Sequence, residues 1–182
     1  MKVLVILGSR NPEGQTARAA AALAMGAQAE GAEVEQVFLP TLRIERCRQC
    51  DENGWGTCLS QGECEIADDQ AGLVAKLRAA DAGVFATPVY FADLSESLKA
   101  FLDRLRRTCL HEAGKAGIAG KPAVGVCVAG GRGGGGPACA ATLERVLQTC
   151  GFDLRDVVPV RRQNLEMKLA VLTHTGKWLA AG

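Results

Sequence analysis

Aromatic residues are scarce. Two Trp, one Tyr and five Phe serve 182 residues, so the core has to be built mainly from aliphatic side chains and alanine. Histidine is nearly missing as well. His111 and His174 stand far apart, so no histidine metal site and no Ser–His–Asp relay is legible, and both are expected at the surface. Neither sign of charge dominates: 21 Lys and Arg face 20 Asp and Glu, a net charge of +1. That balance, with no basic run, excludes the one-sided field that a nucleic-acid or anionic-membrane partner would call for. No apolar run approaches the ~18 residues of a membrane span. The opening MKVLVILGSR has only the run Val3–Leu7 before a glycine, too short for a signal-peptide core. The expectation is a cytoplasmic chain with no membrane partner. A content of 48% apolar and 23% charged residues suits one globular domain over 1–182.

What the chain does have is glycine, 22 residues, and cysteine, eight. In a reducing compartment cysteines are expected as thiols or metal ligands rather than disulfides. The glycines punctuate a regular alternation. Val3–Leu7 reads as a buried parallel strand, and QTARAAAALAMGAQAE as an alanine-rich helix stopped by Gly31. A second strand near Glu33–Leu39 carries Glu33, Glu35 and Gln36, which suit a sheet edge. Then come a helix over about 69–80, a strand over Ala82–Pro88, and DLSESLKAFLDRL, a helix with Asp93 and Glu96 spaced as a capping box. A strand over Pro122–Ala129 follows. Pro137 opens the next helix and Gly151 closes it, a fifth strand lies near Leu154–Val160, and Leu165, Leu169, Leu172 and Leu179 mark a last helix.

Strands alternating with helices imply an α/β fold with a parallel sheet. Five strands fit a flavodoxin-like three-layer sandwich of strand order 2-1-3-4-5, in which ligands sit at the strands' carboxyl ends. Three loops there merit attention. GSRNPEGQT (Gly8–Thr16) offers backbone N–H groups, the hydroxyls of Ser9 and Thr16 and a helix N-terminus, an anion site without the Gly-Lys-Ser/Thr ending of a P-loop. Tyr90 and Phe91 follow the third strand, where a flat ring could rest against them; the plainer reading is that Phe91 covers the core. GGRGGGGP (Gly130–Pro137) lets backbone approach a ligand closely.

GSRNPEGQT, TPVYF followed by SLKAFLDR, and GGRGGGG together resemble the NAD(P)H-dependent FMN reductase family of the flavodoxin-like fold. The resemblance implies that Ser9, Arg10, Asn11, Gly14, Gln15 and Thr16 hold the FMN phosphate. It places Pro88, Val89, Tyr90 and Phe91 along the flavin, and Gly130, Gly131, Gly133 and Gly134 on its pyrimidine side. Asn11 stands where many members carry Arg, and Gln15 where Asn or Ser is usual. The implied activity passes electrons from NAD(P)H through FMN to a quinone, flavin or other small acceptor, with no catalytic side chain. A homodimer or higher homo-oligomer is also implied, with Trp55, at the tip of the cysteine loop, reaching over the neighbouring flavin. The rivals are a flavodoxin-like or iron–sulfur electron carrier without NAD(P)H turnover, against which the +1 charge argues, and a cysteine-loop metal or redox sensor.

Cys47, Cys50, Cys58 and Cys64, within a loop at 45–68, form the pattern C-x2-C-x7-C-x5-C. The loop resembles the iron–sulfur flavoprotein branch of the same family, but with seven rather than two residues between the second and third cysteine. Their polar, turn-rich spacers speak against core packing. A [4Fe–4S] cluster, a zinc ion and a metal-free thiol flap over the flavin remain open. Cys127, Cys139 and Cys150 sit in apolar patterns and read as core thiols; Cys109 fits neither group.

Overall fold

A computed structural model describes all residues from Met1 to Gly182. Its frame is one parallel sheet of order β2-β1-β3-β4-β5, built from β1 (Lys2–Leu7), β2 (Glu33–Phe38), β3 (Ala82–Pro88), β4 (Pro122–Ala129) and β5 (Asp153–Arg161). The central strands β1, β3 and β4 are nearly continuous aliphatic runs because helices cover both of their faces. Helices α1 (Gln15–Ala29) and α7 (Leu165–Ala181) share one side with Val3, Val5, Leu7, Val84 and Val126. On the other side α3 (Gln70–Ala79), α4 (Glu96–Thr108) and α6 (Gly136–Cys150) pack on Leu4, Ile6, Phe85 and Cys127. Two four-residue helices interrupt the connections, α2 (Thr57–Ser60) in the cysteine loop and α5 (Glu112–Lys115) after α4. No helix is long and apolar enough to cross a membrane.

The pairing is level at the carboxyl ends. Leu7 faces Phe38 on one side and Ala86 on the other, and Pro88 faces Val128. Two further backbone bonds carry the ladder outward, Gly8 N–H to Ala86 O at 2.8 Å and Val89 N–H to Val128 O at 2.9 Å. The loops after β1, β3 and β4 therefore leave the sheet side by side.

One local expectation is corrected. The N-cap of α4 is Ser95, whose Oγ accepts from Leu98 N–H at 3.4 Å, and not Asp93. Asp93 is held upstream, paired with Tyr90 through two backbone bonds of 3.0 and 2.9 Å, while its carboxylate accepts from Leu94 N–H at 2.8 Å. Both residue types cap helices well; the turn before the helix takes one and leaves the other.

Candidate functional site

The first loop ends in a helix start without a side-chain cap. Gly14 occupies the N-cap position of α1 and has no side chain to donate or accept. The N–H groups of Gln15, Thr16 and Ala17 find no acceptor, the first bonded one being Arg18 N–H to Gly14 O at 2.9 Å. Thr16 is buried, and its hydroxyl has no partner. Helix-start donors left free at the surface of the loop are what an anion needs. Ser9, also buried, accepts from Asn11 N–H at 3.3 Å and shapes the loop. Asn11 Oδ1 accepts from Glu13 N–H at 2.9 Å in the same turn.

The third loop is a tight reversal. Tyr90 and Asp93 pair as an antiparallel bridge, and the two residues between them, Phe91 and Ala92, have φ of 48° and 65°. Positive φ at both central positions is the type I′ arrangement, which favours Asn-Gly and costs non-glycine residues about 1–3 kcal/mol each. Phe91 does not cover the core. It is fully exposed at the crest of the turn, and Tyr90 beside it is 52% exposed. Pro88 and Val89 are half-buried below them.

The fourth loop leaves space. Cβ atoms built on Gly130, Gly131 and Gly134 would meet nothing within 4 Å, so the surface above them is open. Gly131, Gly133 and Gly135 have positive φ, and a Cβ on Gly135 would lie 2.7 Å from the Ala92 backbone. The third and fourth loops thus touch at a point where only glycine fits. The first loop is tied to the start of α4, just after the third loop, by Ser97 Oγ, which donates to Gly8 O at 3.3 Å. On the β2 side of these loops lies a cleft of about 410 Å³, lined by Gly8, Arg10, Pro40, Ile44, Arg46, Tyr90 and Glu96 among others.

The cysteine loop folds back on α4. Cys47, Cys50, Cys58 and Cys64 are free thiols that line one small cavity of about 20 Å³, together with Trp55, Glu65, Arg104 and Arg107. No three of the acidic, cysteine or histidine side chains are arranged to grip a single metal ion. A hydrogen bond to the Glu65 carboxylate, with burial and the negative charge of Glu65 behind it, pushes the Cys50 thiol up to about 11. Arg104 is 1% exposed, and each of its five N–H donors has an acceptor. Nε donates to Cys64 Sγ at 3.3 Å. Nη1 reaches Glu45 O at 3.1 Å and Asp68 Oδ2 at 2.6 Å, and Nη2 reaches Asp68 Oδ1 at 3.0 Å and Ile66 O at 3.5 Å. Arg107, one turn on, lies 3.9 Å above the Trp55 ring and donates to Gly54 O. Trp55 therefore stacks on Arg107 of its own chain.

A family model described as NADPH-dependent FMN reductase matches residues 1–162. The chain belongs to that family. Among curated relatives of this reductase-family chain, an iron–sulfur flavoprotein of Methanocaldococcus jannaschii is 32% identical over 132 residues, 72% of this chain and 66% of the relative. One of Methanosarcina thermophila is 33% identical over 138 residues, 74% of this chain and 66% of the relative, and one of Archaeoglobus fulgidus is 34% identical over 105 residues, 58% and 46%. The matches span about half to two thirds of these relatives' lengths. Among solved structures, an NAD(P)H:quinone oxidoreductase from Methanothermobacter marburgensis superposes with a TM-score of 0.74 at 19% identity, covering 98% of this chain and 96% of that one. A flavodoxin from the domain Archaea gives 0.64 at 14% identity, covering 100% and 97%. Both show the flavodoxin-like fold.

In this reductase-family chain the three loops expected to hold the flavin are adjacent, and the four loop cysteines line one cavity. Four features had escaped the sequence. Arg104 lies on a helix that reads as amphipathic, and its partner Asp68 is 36 residues away. Glu65 and Arg107 carry no motif. Arg46 gains meaning only from the cleft it shares with Arg10. The remaining cysteines divide as expected, with Cys127, Cys139 and Cys150 buried, and Cys109 joins them at 1% exposure.

Proposed function

We propose that this chain binds FMN across the three strand-end loops and works as an NAD(P)H-dependent oxidoreductase delivering electrons to a small acceptor. The observation that carries the reading is the uncapped start of α1 lying level with the open glycine loop and the exposed Tyr90–Phe91 turn. Ser9, Gly14, Gln15 and Thr16 would hold the phosphate through backbone N–H groups and hydroxyls. Pro88, Val89, Tyr90 and Phe91 would lie along the ring, and Gly130, Gly131, Gly133 and Gly134 would offer backbone N–H groups where reduced flavin carries charge. When bound, FMN supplies the ring that exchanges hydride and single electrons.

The donor set of the cysteine loop suits a [4Fe–4S] cluster better than zinc. Structural zinc sites usually take two short Cys-x2–4-Cys knuckles, and this loop has one, Cys47–Cys50. Arg104 and Arg107 would offset the cluster's negative charge. A cavity of about 20 Å³ takes little more than one water, so the loop would open to admit a cluster. Phe91, fully exposed on a strained turn, supports a homodimer that covers it.

Flavin spectroscopy and calorimetry on the full chain test the reading: tight, yellow FMN binding is expected at micromolar concentration, and colourless protein with no heat of binding refutes it. Thr16→Val should weaken FMN by about tenfold, one hydrogen bond to a charged group, and riboflavin hardly at all. Equal losses for both would remove Thr16 from the phosphate seat. Many NAD(P)H equivalents oxidised per chain with added acceptor would separate an enzyme from a carrier that stops after one.

A further inference from the structure

The cleft on the β2 side borders the flavin loops and extends beyond them. Its volume of about 410 Å³ lies within the range of small-molecule sites. Its floor is apolar, made of Leu39, Pro40, Leu42, Ile44 and Ala100, with the Tyr90 ring at one edge. Its rim carries two cations, Arg10 and Arg46. Both are exposed, and neither guanidinium makes a hydrogen bond or ion pair.

Unpaired arginines on a surface are ordinarily just solvated. Here the arginines nearby are otherwise engaged: Arg48 with Glu45, Arg43 with Ala67 O, Arg104 with Asp68, Arg106 with Asp103 and Arg107 with Gly54 O. Arg132, Arg145 and Arg162 are also unpaired but lie outside the cleft, whereas Arg10 and Arg46 line it together. The start of α4 adds to them. Glu96 and Ser97 line the cleft, and their backbone N–H groups, at the positive end of a 13-residue helix, have no acceptor. Two guanidinium groups and a helix start above an apolar floor suit a ligand that joins phosphate to a flat ring. The single carboxylate, Glu96, can accept from ribose hydroxyls or a ring amine. Gly8 and Tyr90 belong both to this cleft and to the flavin loops, so a ligand lying here has one end beside the flavin seat.

We propose that this cleft seats the phosphate-bearing adenylate half of the nicotinamide dinucleotide donor, with Arg10 and Arg46 gripping its phosphates. The inference rests on the reading of the chain as an NAD(P)H oxidoreductase and assigns that donor a place. It also moves Arg10 from the FMN phosphate, where resemblance would put it, to the donor. Glu96 would face the sugar rather than the phosphates, and the apolar floor would carry the adenine.

The test is calorimetric titration of NADP⁺ into the full chain loaded with FMN, comparing wild type with Arg10→Ala, Arg46→Ala and Arg46→Lys. Each alanine variant should weaken NADP⁺ by about 10- to 100-fold, the loss of a charge-assisted contact, and the difference should shrink as salt is raised. Arg46→Lys should recover part of the loss. Wild type that does not bind NADP⁺, or Arg46→Ala that binds it as tightly as wild type, overturns the proposal. So does an Arg10→Ala variant that sheds FMN while retaining NADP⁺ affinity, since Arg10 then serves the flavin phosphate. Failure of the flavin reading shows separately, as absence of FMN uptake. The same titration on flavin-free chain still decides the cleft, because Arg46, Pro40 and Ile44 lie outside the flavin loops.

Discussion

At the scale of single residues, Arg104 links sequence to site. It is the largest fully buried side chain, and it stitches Glu45, Cys64, Ile66 and Asp68 to one face of α4. Burial alone would raise the Asp68 carboxyl, but hydrogen bonds from Arg104 and from the N–H groups of Glu45 and Gln70 outweigh it and hold the group below the ordinary carboxylate range. Removing one partner of a buried pair leaves the other charge stranded. Arg104→Gln should cost about 3 kcal/mol in a denaturant titration, and Arg104→Gln with Asp68→Asn together should cost less than the single change. An Arg104→Gln variant within about 0.5 kcal/mol of wild type would show that the pair does not hold the loop. The pH dependence has a fixed sign. Because the folded carboxyl is depressed, its contribution is fully present above the unfolded value of about 4 and is lost as pH falls below that. The wild-type advantage over the double variant should therefore be complete at pH 6 and decline in acid; an advantage that grows in acid would contradict the assignment. None of this was legible beforehand, since an arginine among leucines on a helix reads as solvent-facing until its acceptors arrive from a distant loop.

At the scale of elements, the order of strands and helices was legible because parallel strands buried on both faces are aliphatic runs, as in Val3–Leu7 and Pro122–Ala129. The helix boundaries near Gly31 and Gly151 followed from the left-handed φ those positions adopt, 82° and 92°. The sequence was less clear where a residue's job is set by another element. Gly26, inside the alanine-rich α1, looks like a weak point in a helix. In the fold a Cβ on Gly26 would strike the backbone of Thr173, and one on Gly176 would strike the backbone of Leu23. The two glycines let α1 and α7 cross backbone to backbone, and α1 carries the proposed phosphate seat at its start. Gly26→Ala raises intrinsic helix propensity by about 1 kcal/mol, yet overpacking should win and lower stability by about 2 kcal/mol. Thermal melts with and without FMN check this. A stabilised Gly26→Ala would mean that the helices are free to separate. The turn at Phe91–Ala92 was hidden for a related reason. A type I′ reversal usually announces itself with Asn or Gly, and here it is imposed on residues that disfavour it.

At the scale of the whole molecule, eight cysteines divide by environment into two sets of four. Cys109, Cys127, Cys139 and Cys150 are core residues of the α3–α4–α6 side. A hydrogen bond to Cys139 and burial push Cys127 up strongly, and a hydrogen bond to Cys109 and burial do the same for Cys150, so both stay protonated at physiological pH. Cys47, Cys58 and Cys64 are half-buried and Cys50 is exposed, all around one cavity that opens to the surface. Reactivity follows access and thiolate character, so the two sets should separate on a clock. Metal-free protein treated with iodoacetamide under native conditions should gain four labels in a phase faster than global unfolding, read by intact mass, with Cys50 the slowest of them because Glu65 holds its thiol up, and the other four only at the rate of global unfolding. Protein purified without oxygen and analysed for iron, sulfide and zinc completes the experiment. A loaded cluster should abolish the fast phase, and chelation should restore it at four. Fast labelling of Cys127 or Cys139 would mean that β4 and α6 do not enclose them as described. Iron below about a tenth of an equivalent, with the fast phase intact and FMN bound, would leave the loop as a thiol flap clamped to α4 by Arg104.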